Sequence, residues 1–297
     1  MKKADRKTDT FEQIFAGVYG YNRPYIPMKA DLNQRVAIIT GGAGMIGGAV
    51  AELLAASGAR IVLWDINDER GAAEEQKIIE SGGEAKYYPV DIADRAGMAA
   101  AVSQVVADFG CIDILFANAG VNTGNRQPVT EFDSDLFDQN IDVNLSGGTV
   151  FLTRQVLPHM MARGGGSIIF TSSVCGVTGL RLQCGFVASK FAICALTRSL
   201  ALEYARYNIR VNTLAPGSLP QPYGKLNFLW DTCDFENYDQ NFTNPASIVY
   251  DIPARRPAYP TEMAGLVLYF ASDDASYTTG QVVCVDGGWT AGFSGDY

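Results

Sequence analysis

Short runs of β-branched and other apolar residues recur from Arg35 onward, separated by stretches whose apolar positions follow a helical spacing. The runs predict strands at 36–40, 61–65, 87–90, 114–118, 167–172, 211–214 and 282–285. Several are apolar at every position, as strands covered on both faces must be. The alternation of strand and helix therefore predicts an α/β fold, with a doubly wound, parallel, seven-stranded sheet flanked by helices in one domain over 34–297. Two segments break the rhythm. Residues 1–33 mix aromatics with Gly and Pro without any period, and predict an extension whose aromatics dock on the body or on a neighbouring subunit. Residues 218–259 are irregular yet carry Tyr223, Phe228, Trp230, Phe235, Tyr238 and Phe242, which predicts a lid over a substrate pocket, with a subunit contact as the alternative.

The first strand leads through TGGAGMIG, residues 40–47, into an amphipathic stretch. A glycine turn between strand and helix suits a dinucleotide: Gly41 and Gly44 let the backbone turn tightly against the pyrophosphate, and Gly47 lets the helix pack closely. The N–H groups at the helix start, around Met45 and Ile46, face the phosphates. Asp65 ends the second strand 18 residues after Gly47, where a carboxylate accepts from the adenosine ribose hydroxyls and repels a 2′-phosphate. This favours NAD over NADP, with Arg70 close enough in sequence to leave NADP open. The predicted fold is thus of Rossmann type.

From here to about residue 290 the chain resembles the short-chain dehydrogenase/reductase family. The resemblance rests on the Thr40 turn, Val90-Asp91-Ile92, Asn118-Ala119-Gly120, Asn144 in VNLSG, Ser173 in TSSVCG, Lys190 in VASK, Pro216-Gly217 and Val285-Asp286-Gly287-Gly288. It implies that Asp91 and Ile92 hold the adenine, that Asn118 and Gly120 line the ribose side, and that Pro216 and Gly217 border the nicotinamide. It further implies that Lys190 holds the nicotinamide ribose, that Ser173 and Asn144 orient the substrate and the proton relay, and that the subunits assemble as homotetramers whose C-terminal ends meet. The tail residue Tyr297 would then approach a neighbour's active site. Met45 departs from the pattern, since members of this length usually carry a glycine there.

A second departure concerns the chemistry. The family moves the alcohol proton with a tyrosine four residues before the lysine, and a helix puts positions i and i+4 on one face. Here that position is Phe186, which has no hydroxyl to exchange, and no tyrosine lies between Ser172 and Lys190. Ser173 stands 13 residues before Phe186, at the family's spacing. Three explanations fit: a Tyr-to-Phe active-site variant of an otherwise intact enzyme, an enzyme using another acid or a water held by Ser173 and Lys190, and a pseudoenzyme that binds dinucleotide without turnover.

Charge and composition narrow the field. With 23 basic against 32 acidic residues the net charge is −9, which repels nucleic acid. Six scattered cysteines form no C-x-x-C pair, and the only histidine is His159, expected at a helix end or surface, so neither a metal site nor a Ser-His-Asp triad is indicated. The start of the chain lacks a signal-peptide core and no segment reads as a membrane span of about 18 apolar residues, which suggests a cytoplasmic protein. The pocket is expected from Asn122 and Arg126 after the fourth strand, Arg181 and Gln183 before Phe186, and the lid. Polar groups with an arginine suit a polyol, sugar or sugar acid, and the glycine turn and VDGGWTAG look similar to those of sugar and sugar-acid dehydrogenases of the family.

Overall fold

A computed structural model describes residues 28–123, 127–219, 252–254 and 256–292. Its elements are β1 (Val36–Thr40), α1 (Met45–Ala56), β2 (Arg60–Asp65), α2 (Asp68–Glu80), β3 (Glu84–Pro89), α3 (Arg95–Phe109) and β4 (Ile114–Ala117). Then α4 (Ser134–Ile141) runs through a π-helical stretch (Asp142–Phe151) into α5 (Leu152–Arg163). β5 (Gly166–Thr171), α6 (Cys184–Tyr204), β6 (Ile209–Pro216), α7 (Pro260–Ala271) and β7 (Val282–Val285) follow. All seven strands pair in parallel in the order β3-β2-β1-β4-β5-β6-β7, the doubly wound sheet that the alternation predicts.

Successive side chains of a strand point to opposite faces, so each strand feeds two cores. Ala37 and Ile39 of β1, Ile61 and Leu63 of β2 and Phe116 of β4 pack under α1 and α7, against Val50, Leu54, Val267 and Leu268. Val36 and Ile38, Val62 and Trp64, and Leu115 pack on the other side with Met98 and Val102 of α3, Val156 of α5 and Ile193 of α6. The chain winds one way from β1 to β3 and the other way from β4 to β7. This opens a crevice at the carboxyl ends of β1 and β4, where ligands of such sheets bind.

Strand boundaries differ where polarity masks the period. β3 begins at Glu84 rather than Tyr87, because at this sheet edge Glu84 and Lys86 stay exposed and break the apolar run. β6 extends from Ile209 to Pro216, through the buried and polar Asn212. Asn212 is accommodated because its Nδ2 donates to Thr278 O at 2.8 Å and its Oδ1 accepts from Gln281 N at 3.1 Å. The segment just ahead of β1 already belongs to the body: Leu32 is fully buried and donates its N–H to Ser57 O at 2.8 Å. The rest of the expected extension, Arg126, the aromatic stretch of 218–259 and Tyr297 lie outside the described residues.

One expectation about membranes needs correction. The helical run Cys184–Tyr207 is long and apolar enough to cross a membrane by length and mean hydropathy, 1.4. Its stripe of Ser189, Ile193, Thr197 and Ala201 is buried instead within the fold, where Thr197 meets Thr213 of β6 through a 2.5 Å hydroxyl pair.

The glycine turn joins β1 to α1 with little room to spare. Gly41 has φ +64°, and a Cβ on Gly47 would lie 2.0 Å from Gly41 O, so Gly47 lets α1 close on the turn itself. Gly47→Ala forces backbone apart where nothing flexible can yield. A loss of about 5 °C in Tm is expected by thermal unfolding, because overpacking of this kind costs about 1–3 kcal/mol. An unchanged Tm would show that the turn opens at no cost.

Candidate active site

The crevice is built from the carboxyl ends of the strands. Thr40, fully buried at the end of β1, accepts on its Oγ1 from Asn118 N and Ala119 N, both at 2.9 Å. Asn118 Nδ2 donates to Thr40 O at 3.1 Å and its Oδ1 accepts from Thr171 Oγ1 at 3.1 Å, so one asparagine ties β1, β4 and β5 together. At the end of β2, Asp65 accepts from Ala43 N through Oδ2 and from Asn67 N through Oδ1, each at 3.0 Å. That carboxylate thereby pins the glycine turn and keeps further lone pairs for an added donor.

Gly44 precedes α1, no side chain caps the helix, and no acidic residue stands in its first turn. The first N–H groups of a helix have no intrahelical partner and carry the positive end of its dipole, so a phosphate fits where a capping side chain would otherwise stand. Just after β3, Asp91 lies exposed and Ile92 buried. On its far side Gly217 donates to Val285 O at 3.0 Å, next to Asp286. Burial raises the Asp286 carboxyl, and hydrogen bonds from Thr290, Gly288 and Trp289 more than offset this, leaving it below the usual carboxylate range.

Lys190 and Phe186 share one face of α6. Lys190 Nζ is buried, donates to Thr171 O at 2.9 Å and lies 5.6 Å from the centroid of the Phe186 ring, within reach of a cation–π attraction. Burial pushes the ammonium down to about 8. Gly120 closes the other side: a Cβ there would sit 2.9 Å from Asn144 Oδ1 and 3.5 Å from Lys190 Nζ, so any side chain would fill this corner. Ser173, half-buried, accepts from Cys175 N at 3.1 Å and keeps its O–H as a donor.

Gly120, Asn144, Lys190 and Phe186 lie close together. Asn144 is almost wholly buried, and its amide is already engaged: Oδ1 accepts from Val121 N at 2.7 Å, while Nδ2 donates to Val121 O at 2.9 Å and Ser189 Oγ at 3.1 Å. Its side chain thus holds the chain beyond β4 and the start of α6, instead of facing an open pocket. It reaches both because the π-helical stretch widens the helix at this point, a feature common near functional sites. Among the expected pocket residues, Asn122 Nδ2 meets Gln183 Oε1 at 3.2 Å, with Gln183 buried at the start of α6. Arg181 is exposed.

Ser189 and Asn140 escape a sequence reading. Ser189 accepts from Asn144 and donates to Phe186 O at 2.7 Å. Asn140 is fully buried one helical turn before Asn144, and that i, i+4 spacing is the signal that could have marked it.

Comparisons with known proteins agree with this architecture. The family model described as enoyl-(acyl carrier protein) reductase matches residues 41–290. The 2,5-dichloro-2,5-cyclohexadiene-1,4-diol dehydrogenase of Sphingobium indicum is 37% identical over 262 residues, covering 88% of this chain and 99% of its own. The crystal structure of levodione reductase superposes with a TM-score of 0.79 at 33% identity, covering 88% of this chain and 99% of that one. The structure of NAD+-bound xylitol dehydrogenase superposes with a TM-score of 0.78 at 32% identity, covering 87% and 100%. With its seven-stranded parallel sheet, a family model matched over residues 41–290 and relatives above 30% identity covering most of its length, the chain belongs to the short-chain dehydrogenase/reductase family of oxidoreductases.

Proposed function

We propose that the chain is an NAD-dependent oxidoreductase acting on the CH–OH group of a polyol, sugar or sugar acid, and that Phe186 slows its turnover. The observation that carries this is the buried Lys190 ammonium, anchored on Thr171 O beside the Phe186 ring, at the same carboxyl end of the sheet as the uncapped start of α1 and Asp65. The residues fit a dinucleotide: the turn has no room for a side chain at Gly47, α1 offers N–H donors to the pyrophosphate, and Asp65 offers acceptors to the adenosine ribose. When bound, the nicotinamide supplies the hydride acceptor. Lys190 holds its ribose, with Asp91, Ile92 and Asn118 along the adenosine half and Pro216 and Gly217 beside the ring. Ser173 donates its O–H to the substrate oxygen, and Asn122 and Gln183 meet further hydroxyls.

A second reading takes a hydroxylated six-membered ring as substrate. It draws on the chlorinated cyclohexadienediol acted on by the Sphingobium relative, and on Pro128, Leu180, Leu182 and Val187, which line a cleft of about 400 Å³ beside Arg181.

Proton transfer decides the rate. With phenylalanine at 186 the alcohol proton must leave through water held by Ser173 and Lys190. Restoring the hydroxyl in Phe186→Tyr is expected to raise NAD reduction about 10²–10⁴-fold on the best member of a panel of polyols, sugar acids and ring diols. No gain on any of them, with NAD still bound, would identify a non-catalytic binding protein.

The unsubstituted chain should also show a distinctive pH profile. Lys190 is charged below about 8 and neutral above it, and only the neutral amine can take up a proton. Residual alcohol oxidation is therefore expected to climb between about pH 7 and 9. A rate that stays flat over that range would remove Lys190 from the proton path.

Cofactor choice is tested at Asp65. Asp65→Ser removes the repulsion of a 2′-phosphate together with the carboxylate that holds Ala43 N. Fluorescence titration should show weaker binding of NADH and a ratio shifted toward NADPH by about tenfold or more. An unchanged ratio would place nucleotide discrimination elsewhere.

A further inference from the structure

Two asparagines, Asn140 and Asn144, lie one helical turn apart on the run that leads from α4 into the π-helical stretch, and both are buried. Each grips the backbone of a different residue beyond β4. Asn144 accepts from Val121 N at 2.7 Å and donates to Val121 O at 2.9 Å. Asn140 repeats the pattern two residues on, accepting from Thr123 N at 3.3 Å and donating to Thr123 O at 2.9 Å. Its Nδ2 also reaches Thr123 Oγ1 at 2.8 Å and Leu136 O at 2.7 Å.

A side-chain amide that meets both the N–H and the C=O of one residue does what a neighbouring strand does along a ladder, and a ladder engages alternate residues. Val121 and Thr123 are alternate residues. The residue between them, Asn122, carries the side chain that meets Gln183 Oε1 at 3.2 Å, three residues before Phe186. Asn144 occupies a position that the family resemblance already marks; Asn140 does not.

We infer that Asn140 is a positioning residue that pairs with Thr123 as a second rung beside Asn144, and so fixes Asn122 against Gln183 as the polar wall that selects the substrate. This deepens the dehydrogenase reading of the pocket and rests on it. Asn140 touches neither substrate nor cofactor. Its loss should therefore weaken substrate recognition while leaving proton transfer and dinucleotide binding unchanged.

The test compares Asn140→Ala, Asn122→Ala and the double variant in the Phe186→Tyr background, whose turnover can be measured. Asn140→Ala is expected to speed amide hydrogen exchange at Thr123 and to raise KM for the best alcohol, each by about tenfold. The kcat should stay within about twofold and the NAD Kd unchanged, since a lost network of hydrogen bonds is worth roughly one order of magnitude. Asn122→Ala should raise KM similarly, and the double variant should be no worse than either alone, because both changes break one path. If Asn140→Ala does not fold, Asn140→Asp keeps the shape and the acceptor for Thr123 N while removing the donors, and is read in the same way.

Unchanged exchange at Thr123 would overturn the pairing. An unchanged KM, or additive effects of the two substitutions, would overturn its role in selecting substrate. If Phe186→Tyr itself turns over none of the panel, the dehydrogenase reading fails instead. Exchange at Thr123 and the additivity of the two substitutions in Tm then decide whether Asn140 holds Asn122.

Discussion

The hydroxyl of Thr40 holds the place where the sheet reverses its order. It is fully buried and accepts from two successive amides, Asn118 N and Ala119 N, which would otherwise lack partners at the carboxyl end of β4. Because β1 and β4 are adjacent but not consecutive, their loops diverge to opposite faces and leave the crevice between them. Two segments of the candidate site leave from this junction. The glycine turn starts one residue after Thr40, and the chain that reaches Gly120 and Asn122 starts from the amides Thr40 binds.

Around that junction the structure repeatedly uses side chains as substitutes for backbone partners. Asp65 ties the turn to β2, Asn118 joins three strands, and Asn144 and Asn140 pair with Val121 and Thr123. Loops at the end of a parallel sheet have no further strand to bond, and buried amides without partners are destabilising by about 1–3 kcal/mol each. Asparagine is suited to the task because one amide presents both a donor and an acceptor. The same devices that satisfy the backbone therefore fix the course of the chain between Gly120 and Thr123.

Much of this was open to a reading of the chain alone. The seven strands, their parallel pairing and the glycine turn announce themselves through runs of apolar residues and through glycines placed between strand and helix. The boundaries of β3 and β6 did not, since Glu84 sits on an exposed edge and Asn212 is a polar residue buried with partners supplied by Thr278 and Gln281. The apolar length of α6 also misleads in isolation, because burial against a sheet and burial in lipid select similar side chains.

The absence of a hydroxyl at Phe186 is a covalent fact, and with it the question of how a proton leaves the site was posed by the sequence by itself. So were the glycine turn and Asp65, which the sequence places at a fixed distance along one strand–helix–strand unit. Which groups Lys190 and the two asparagines bond was decided only by tertiary structure. Their partners, Thr171 O, Val121 and Thr123, lie 17 to 23 residues away in the chain. They meet only where the carboxyl end of the sheet, the widened helix and α6 converge. Hydrogen bonding acts over about 3 Å, so the i, i+4 spacing could mark Asn140 beside Asn144 but could not name the distant backbone groups that each would meet.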